Sequence, residues 1–125
     1  MPRILVADDD LVQLDLRRSV LESAGHEVAL AFNPREALSE LARGWARLAV
    51  IDLRFLNAAG ESDSREGLRL IRSIHEQAPA VPVIVLSGWP EELYGQPEEK
   101  MVSRVMVKPV ASRKLLEAIE ELVLA

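Results

Sequence analysis

Short, uninterrupted apolar runs recur along the chain, separated by stretches in which apolar and charged residues mix. Four of the runs lack any polar alternation, at residues 4–7, 48–51, 83–86 and 105–107. Runs of this kind are typical of strands buried on both faces of a parallel sheet. A weaker run at residues 26–31 predicts one further strand. We therefore expect five strands, at residues 3–7, 26–31, 48–53, 83–86 and 104–107.

Amphipathic segments follow the first two strands and predict helices. The first helix should begin after Asp10, which is placed to cap it, and end near residue 24, before Gly25. Apolar residues recur at every fourth position of this helix and predict a buried face made of Val12, Leu16 and Val20, with Leu14 and Leu21 beside it. The second helix should begin at residues 33–36, where an asparagine cap precedes a proline and a glutamate, and end near residue 43.

Two further helices are predicted in the second half of the chain. Residues 65–77 favour a helix that either Asp63 or Ser64 caps. Its inward face should contain Leu68, Ile71 and His75. Ser112 should cap the last helix. The inward residues of that helix should be Leu115, Leu116, Ile119, Leu122 and Val123.

Two segments have no clear periodicity. Residues 54–64 are mostly small and polar, and they predict a loop. Residues 89–102 contain Gly95 and Pro97, which interrupt any regular helix, so a short, shifted or mobile fourth helix is expected there. Strands and helices thus alternate five times, and this predicts a three-layer α/β/α sandwich with right-handed crossovers. We expect one domain over residues 1–125.

Composition narrows the class of protein. The chain has 125 residues, is 49% hydrophobic and carries a net charge of −5, which argues against direct binding to nucleic acid. It contains no cysteine, so disulfides, thiol catalysis and cysteine metal sites are excluded. No apolar stretch reaches the length of a membrane span, and no signal-peptide pattern opens the chain. A cytoplasmic protein that does not associate with membranes is therefore expected.

Polar residues follow the ends of four predicted strands. Three consecutive carboxylates, at residues 8–10, follow the first strand, and Asp52, Ser87 and Lys108 follow three later ones. Ligands of open α/β sheets bind beyond the carboxyl ends of the strands, so these groups should converge. Neighbouring carboxylates raise each other's pKa unless a cation offsets them. Mg²⁺ suits such oxygen ligands and often binds together with phosphate, so the pattern indicates a phosphoryl site.

These residues, in this order, resemble the receiver domain of two-component response regulators over the whole chain. The resemblance rests on Asp8-Asp9 after the first strand, Asp52 after the third, Ser87 after the fourth and Lys108-Pro109 after the fifth. It implies a flavodoxin-like receiver fold, with a five-stranded parallel sheet of order 2-1-3-4-5. It also implies a histidine kinase or histidine phosphotransfer protein as phosphoryl donor, and an effector protein or output domain as receiver of the signal. The resemblance is compatible with either a monomer or a homodimer.

The resemblance implies a role for each matching position. Asp52 would be the phosphoacceptor, Ser87 would donate a hydrogen bond to the phosphoryl group, and Lys108 would pair with its oxygens. Asp8, Asp9, Asp52 and the backbone carbonyl of Arg54 would hold Mg²⁺, with Asp8 acting partly through water. The Lys108–Pro109 bond is expected to be cis. Such a domain catalyses only its own phosphorylation and dephosphorylation and is not otherwise an enzyme.

The chain departs from the family pattern in several places. The loop after Asp52 is longer than usual and should overhang the site, although Glu66-Gly67 resembles the usual Asp-Gly farther along. Val105 replaces the customary switch aromatic of the fifth strand, and Trp89 lies two residues after Ser87, where it either packs on the surface or gates access. These departures concern the output switch more than the chemistry of phosphorylation.

The sequence also bears on three other interpretations. A receiver that docks partners independently of phosphorylation is favoured by Val105 and the interrupted fourth helix. A phosphohydrolase of the haloacid dehalogenase type needs a second aspartate where Arg54 stands, and a nucleotide-binding Rossmann domain needs a glycine-rich loop after the first strand.

His75 faintly resembles a kinase phosphoacceptor but is better explained as a partly buried helix residue. His26 lacks a ligand-spaced partner for a metal.

Overall fold

A five-stranded parallel sheet forms the centre of the molecule. The computed structural model describes residues 2–124. In chain order the strands are β1 (Arg3–Ala7), β2 (Glu27–Ala31), β3 (Leu48–Asp52), β4 (Phe55–Leu56), β5 (Ser62–Asp63), β6 (Val83–Ser87) and β7 (Arg104–Val107). The large sheet has the order β2-β1-β3-β6-β7, with every neighbouring pair parallel. Counting only its five strands, this is the expected order 2-1-3-4-5, which is confirmed.

Helices cover both faces of the sheet. They are α1 (Leu11–Ser23), α2 (Pro34–Ala42), α3 (Ser64–Gln77) and α4 (Ser112–Leu124). One core cluster joins α2 and α3 to residues such as Leu5 and Ile51 on one face of the sheet. The other joins α1 and α4 to residues such as Ile4 and Val50 on the opposite face. Successive strand residues point to opposite faces, which is why one apolar run serves both cores. The three-layer prediction is confirmed.

The predicted helix starts are largely confirmed by their hydrogen bonds. The Asp10 carboxylate accepts from the backbone N–H groups of Val12 and Gln13. The Asn33 side chain accepts from the N–H of Glu36 at 2.8 Å. The cap of α3 is Asp63 rather than Ser64. Ser112 is the first residue of α4 and not its cap. The Ala111 carbonyl accepts the hydrogen bond from Leu115, so the cap position is Ala111.

The predicted inward faces of two helices were wrong in part. In α1, Val12 is 73% exposed and Leu16 is 57% exposed, whereas Leu14 and Leu21 are buried. In α3, His75 is exposed and Leu68 is only partly buried. The residues of α3 that pack against the sheet are Gly67, Leu70, Ile71 and Ile74. The direction in which a helix faces the sheet depends on how the chain enters the helix. The pattern of apolar residues alone does not distinguish the face of α1 that carries Leu14 and Leu21 from the face that carries Val12 and Leu16.

Both irregular segments differ from the prediction. One contains a short hairpin, and the other contains 3₁₀ turns in place of a fourth helix. Residues 54–64 are not a structureless loop, because β4 and β5 pair there as an antiparallel hairpin. The fourth helix is replaced by two 3₁₀ segments, Pro90–Glu92 and Pro97–Met101. Between them Leu93 is fully buried against the core, so this segment still covers the sheet. Along residues 2–124, none of the helices has the length and apolarity that a membrane crossing requires.

Candidate functional site

The candidate site lies at the carboxyl edge of the parallel sheet, where the strand order reverses. β1 has β2 on one side and β3 on the other, so consecutive crossovers diverge at this point. Asp8 directly follows β1, while Asp52 is the last residue of β3 and Ser87 the last of β6. The register of the sheet brings these strand ends level, because Asp52 pairs with Leu86 and Ser87 pairs with Val107. Such switch points are where open α/β sheets bind ligands.

Three carboxylates form a compact cluster at this edge. One oxygen from each of Asp8, Asp9 and Asp52 lies within 4.8 Å of the others. Asp8 is 1% exposed and Asp52 is 8% exposed, whereas Asp9 is partly exposed. Hard oxygen ligands in this arrangement, open to solvent on one side, fit a small divalent cation that keeps several waters.

Lys108 supplies a positive charge to the cluster. Its Nζ lies 3.2 Å from Asp52 Oδ2 and 3.6 Å from Asp8 Oδ2. The Lys108 backbone N–H donates to the Ser87 carbonyl at 2.9 Å, which fixes the start of this loop against β6. The Lys108–Pro109 peptide bond is cis, as expected. The ammonium is thus held beside both buried carboxylates.

Two carboxylates of the cluster, Asp52 and Asp9, have raised pKa values. Burial, followed by the charge of Asp8, raises the pKa of Asp52 to about 6, although Lys108 partly opposes this shift. Burial and the Asp8 charge also raise the pKa of Asp9 above its ordinary value, while the Leu56 N–H bond lowers it. Like charges held close together in a poorly solvated site produce such shifts. A bound cation would relieve this repulsion.

Ser87 is buried at the end of β6, the strand that pairs with the end of β3 carrying Asp52. Its side chain is 1% exposed, and its Oγ accepts the Trp89 N–H at 2.9 Å. A serine hydroxyl can also donate one hydrogen bond. The hydroxyl is therefore oriented by the backbone and able to donate to an anionic group.

The Arg54 side chain leaves the carboxylate cluster and makes other contacts. It forms two hydrogen bonds with the Glu92 carboxylate, at 2.9 Å and 2.8 Å. Its guanidinium also lies 3.7 Å from the centroid of the Trp89 ring. The predicted role of the Arg54 carbonyl as a metal ligand stays a prediction. Sequence reasoning missed Glu92, since nothing in the pattern of the interrupted fourth helix shows which acid faces β3.

The hairpin touches the acidic cluster directly. The Leu56 N–H in β4 donates to Asp9 Oδ2 at 3.1 Å. The Asn57 side chain organises the turn, because its Oδ1 accepts from Ala59 and Glu61 and its Nδ2 donates to Asp63. The expected overhang above the site is thus an ordered hairpin whose first strand contacts Asp9.

Arg17 is a further residue at the candidate site, and sequence reasoning missed it. Its Nη1 lies 2.7 Å from Asp8 Oδ2, so Asp8 has a second cationic partner besides Lys108. Arg17 lies three residues after Leu14 and four before Leu21, which are the buried residues of α1, but the apolar pattern alone did not show that this face is the buried one. A charged residue on that face needs a buried partner.

Comparisons with known proteins agree on one family. A family model described as the response regulator receiver domain matches residues 4–120. An uncharacterized 14.6 kDa protein of Leptolyngbya boryana is 32% identical over 98% of this chain and 90% of its own length. The uncharacterized transcriptional regulatory protein YesN of Bacillus subtilis is 28% identical over 98% of this chain and 33% of its own length. For ZraR of Salmonella typhimurium the identity is 24%, over 94% of this chain and 25% of that protein. The chain therefore spans a quarter to a third of these two regulators.

Solved structures are similar over nearly the whole chain. A response regulator of Thermotoga maritima has a TM-score of 0.81 at 27% identity, and the match covers 100% of this chain and 99% of that one. A CheY-like receiver domain protein of Methanospirillum hungatei has a TM-score of 0.79 at 28% identity, over 98% and 94% of the two chains. TrrA of Thermotoga maritima, crystallised with Mg²⁺-BeF, shares the fold with a TM-score of 0.84 at 24% identity, over 98% and 99%.

Proposed function

This chain belongs to the response regulator receiver domain family of two-component systems, and from that premise we propose that it accepts a phosphoryl group on Asp52. The observation that supports this most directly is the position of Lys108 Nζ, 3.2 Å from Asp52 Oδ2, within a cluster of three carboxylates. A nucleophile, a fixed ammonium and a set of oxygen ligands are the parts that phosphoryl transfer requires.

Each residue has a separate role in the proposed transfer. A carboxylate oxygen of Asp52 forms the new bond to phosphorus while the phosphorus–nitrogen bond of a phosphohistidine breaks, and the imidazole leaves with a proton. Lys108 holds the equatorial phosphoryl oxygens by charge, and the Ser87 hydroxyl donates a hydrogen bond to one of them. Asp8, Asp9 and Asp52, together with the Arg54 carbonyl, would hold Mg²⁺. When bound, Mg²⁺ neutralises the negative charge that gathers between donor and acceptor.

The proposed partners follow from this chemistry. A histidine kinase or a histidine phosphotransfer protein supplies the phosphoryl group in the cytoplasm, where the kinase is charged from ATP. An effector protein or an output domain then reads the change at Ser87 through the neighbouring strand β7, which carries Val105 in place of an aromatic switch residue. We propose that residues 1–125 act as one receiver domain whose only reactions are its own phosphorylation and dephosphorylation.

Acetyl phosphate provides a direct test of the proposal. We expect intact-protein mass spectrometry to show a single phosphoryl adduct that forms only with Mg²⁺ and is absent from the Asp52→Asn variant. The matched control is Asp15→Asn, because Asp15 is an exposed acid on α1 that pairs with Arg18 and should leave labelling unchanged. Labelling that persists in Asp52→Asn would contradict the choice of acceptor. No adduct from either acetyl phosphate or a phosphohistidine protein would contradict the proposed function.

A further inference from the structure

Both oxygens of the Asp8 carboxylate accept a hydrogen bond from the protein itself. Its Oδ1 accepts the Asp10 N–H at 2.9 Å, and its Oδ2 accepts Arg17 Nη1 at 2.7 Å. The Lys108 ammonium adds a third contact, 3.6 Å from Oδ2. Because Asp8 is only 1% exposed, contacts with bulk water replace few of these contacts with the protein. Any metal ion that uses this carboxylate must therefore share it with a guanidinium.

Arg17 is placed for this contact by the geometry of α1. It lies on the face that carries Leu14 and Leu21 into the core, and its side chain is only 11% exposed. The next residue, Arg18, is 44% exposed and pairs with Asp15 on the surface of the same helix. Burying a charge is costly unless a partner compensates it. The buried position of Arg17 is thus explained by its ion pair with Asp8 and not by contacts on the surface of the helix.

We propose that Arg17 is a built-in counter-ion of the metal site, which lowers its affinity for Mg²⁺ by competing for the Asp8 carboxylate. This inference deepens the proposed function and rests on it for the identity of the metal. The guanidinium and a metal ion would compete for the Asp8 carboxylate, so that binding of either one weakens binding of the other. In the absence of metal, Arg17 keeps the buried Asp8 compensated.

The charges of the cluster give the direction of the effect. Three carboxylates face two cations, Lys108 and Arg17, which leaves one negative charge for an incoming Mg²⁺. Without Arg17 the same cluster carries two negative charges. Interactions over a few Å in a poorly solvated site are strong, so removing the guanidinium should increase metal affinity markedly. The compensating cation therefore lowers the affinity for the metal ion and stabilises the metal-free protein.

Calorimetric titration of MgCl₂ into wild type and Arg17→Gln at pH 8 tests this proposal. We expect the dissociation constant of Mg²⁺ to fall about tenfold in Arg17→Gln. Arg17→Lys, which keeps the charge, should bind Mg²⁺ with close to wild-type affinity. The matched control is Arg18→Gln, which changes the net charge equally but lies outside the cluster and should leave the affinity unchanged.

A second readout covers the case in which Arg17→Gln is too unstable for titration. Mg²⁺ should take over the role of Arg17 as counter-ion, so the rise in melting temperature that Mg²⁺ causes should be larger in Arg17→Gln than in wild type. In wild type, Mg²⁺ should accelerate solvent exchange of the Arg17 Nη protons, followed by NMR. If Arg17→Gln binds Mg²⁺ no more tightly than wild type does, the proposed role of Arg17 is wrong, while the proposed metal site is unaffected. Absence of Mg²⁺ binding in all variants would overturn the proposed metal site as well.

Discussion

The guanidinium of Arg54 stacks on the indole of Trp89, with 3.7 Å between the guanidinium carbon and the ring centroid. Arg54 lies two residues after the proposed acceptor Asp52, and Trp89 lies two residues after Ser87. The stack therefore bridges the ends of β3 and β6, and the double hydrogen bond from Arg54 to Glu92 holds it in place. Trp89 was expected either to pack on the surface or to gate access to the site. The ring packs against Arg54 and is 48% exposed, and a gating role stays a prediction.

Removing the ring should shorten the lifetime of the phosphorylated protein. In Trp89→Ala we expect hydrolysis of the phosphoryl group to be about threefold faster, since water gains access and a cation–π contact of about 0.5–1 kcal/mol is lost. Loss of the adduct after removal of excess acetyl phosphate, followed by mass spectrometry, measures this. Trp89→Phe keeps an aromatic face for Arg54 and should stay close to wild type. Equal lifetimes in all three proteins would mean that the ring does not limit access.

The raised pKa of Asp52 makes stability depend on pH in the absence of metal. The pKa is 3.8 in an unperturbed aspartate and about 6 in the fold. Between these values the folded state binds more protons than the unfolded state, so stability falls as pH rises towards 6 and is then constant. Asp52→Asn removes this ionisation. It should therefore be more stable than wild type by about 2–3 kcal/mol at pH 8 and nearly equal to it at pH 4.

Urea denaturation in EDTA at several pH values measures this difference. Adding Mg²⁺ at pH 8 should stabilise wild type and leave Asp52→Asn much less affected, because only wild type keeps all three carboxylates of the site. A gap between the two proteins that is as large at pH 4 as at pH 8 would contradict the assignment of the pH dependence to Asp52.

The hairpin of β4 and β5 should depend on a single side chain. Asn57→Ala removes one acceptor shared by Ala59 and Glu61 and one donor to Asp63, and we expect amide exchange at Gly60 and Glu61 to become at least about tenfold faster. Glu61→Ala is the matched control, since the hairpin uses the Glu61 backbone and the side chain is exposed. Hydrogen–deuterium exchange with peptide mass analysis reads both variants. Protection that survives in Asn57→Ala would show that strand pairing alone holds the turn.

Most of the site could be predicted because its residues directly follow apolar runs. Parallel strands bring their carboxyl ends to one edge, so the positions of Asp52 and Ser87 in the chain were enough to predict convergence. The contacts made by long side chains were not predictable in this way. Arg17 reaches Asp8 only because α1 presents Leu14 and not Leu16 to the sheet, and that rotation depends on tertiary packing. The hairpin was missed because a side chain, and not apolar alternation, forms its turn.

Gly67 allows α3 to approach the end of β3, and replacing it should disturb the acceptor. A Cβ at Gly67 would lie 1.9 Å from the carbonyl oxygen of Leu53, the residue after Asp52. This neighbour is backbone and cannot rotate away, so Gly67→Ala should destabilise the protein by about 1–3 kcal/mol. It should also slow labelling by acetyl phosphate, because α3 and Leu53 must separate. Gly88→Ala is the control for stability, since a Cβ there meets nothing within 4 Å. Urea denaturation that gives Gly67→Ala the stability of wild type would show that α3 shifts freely and does not fix the acceptor strand.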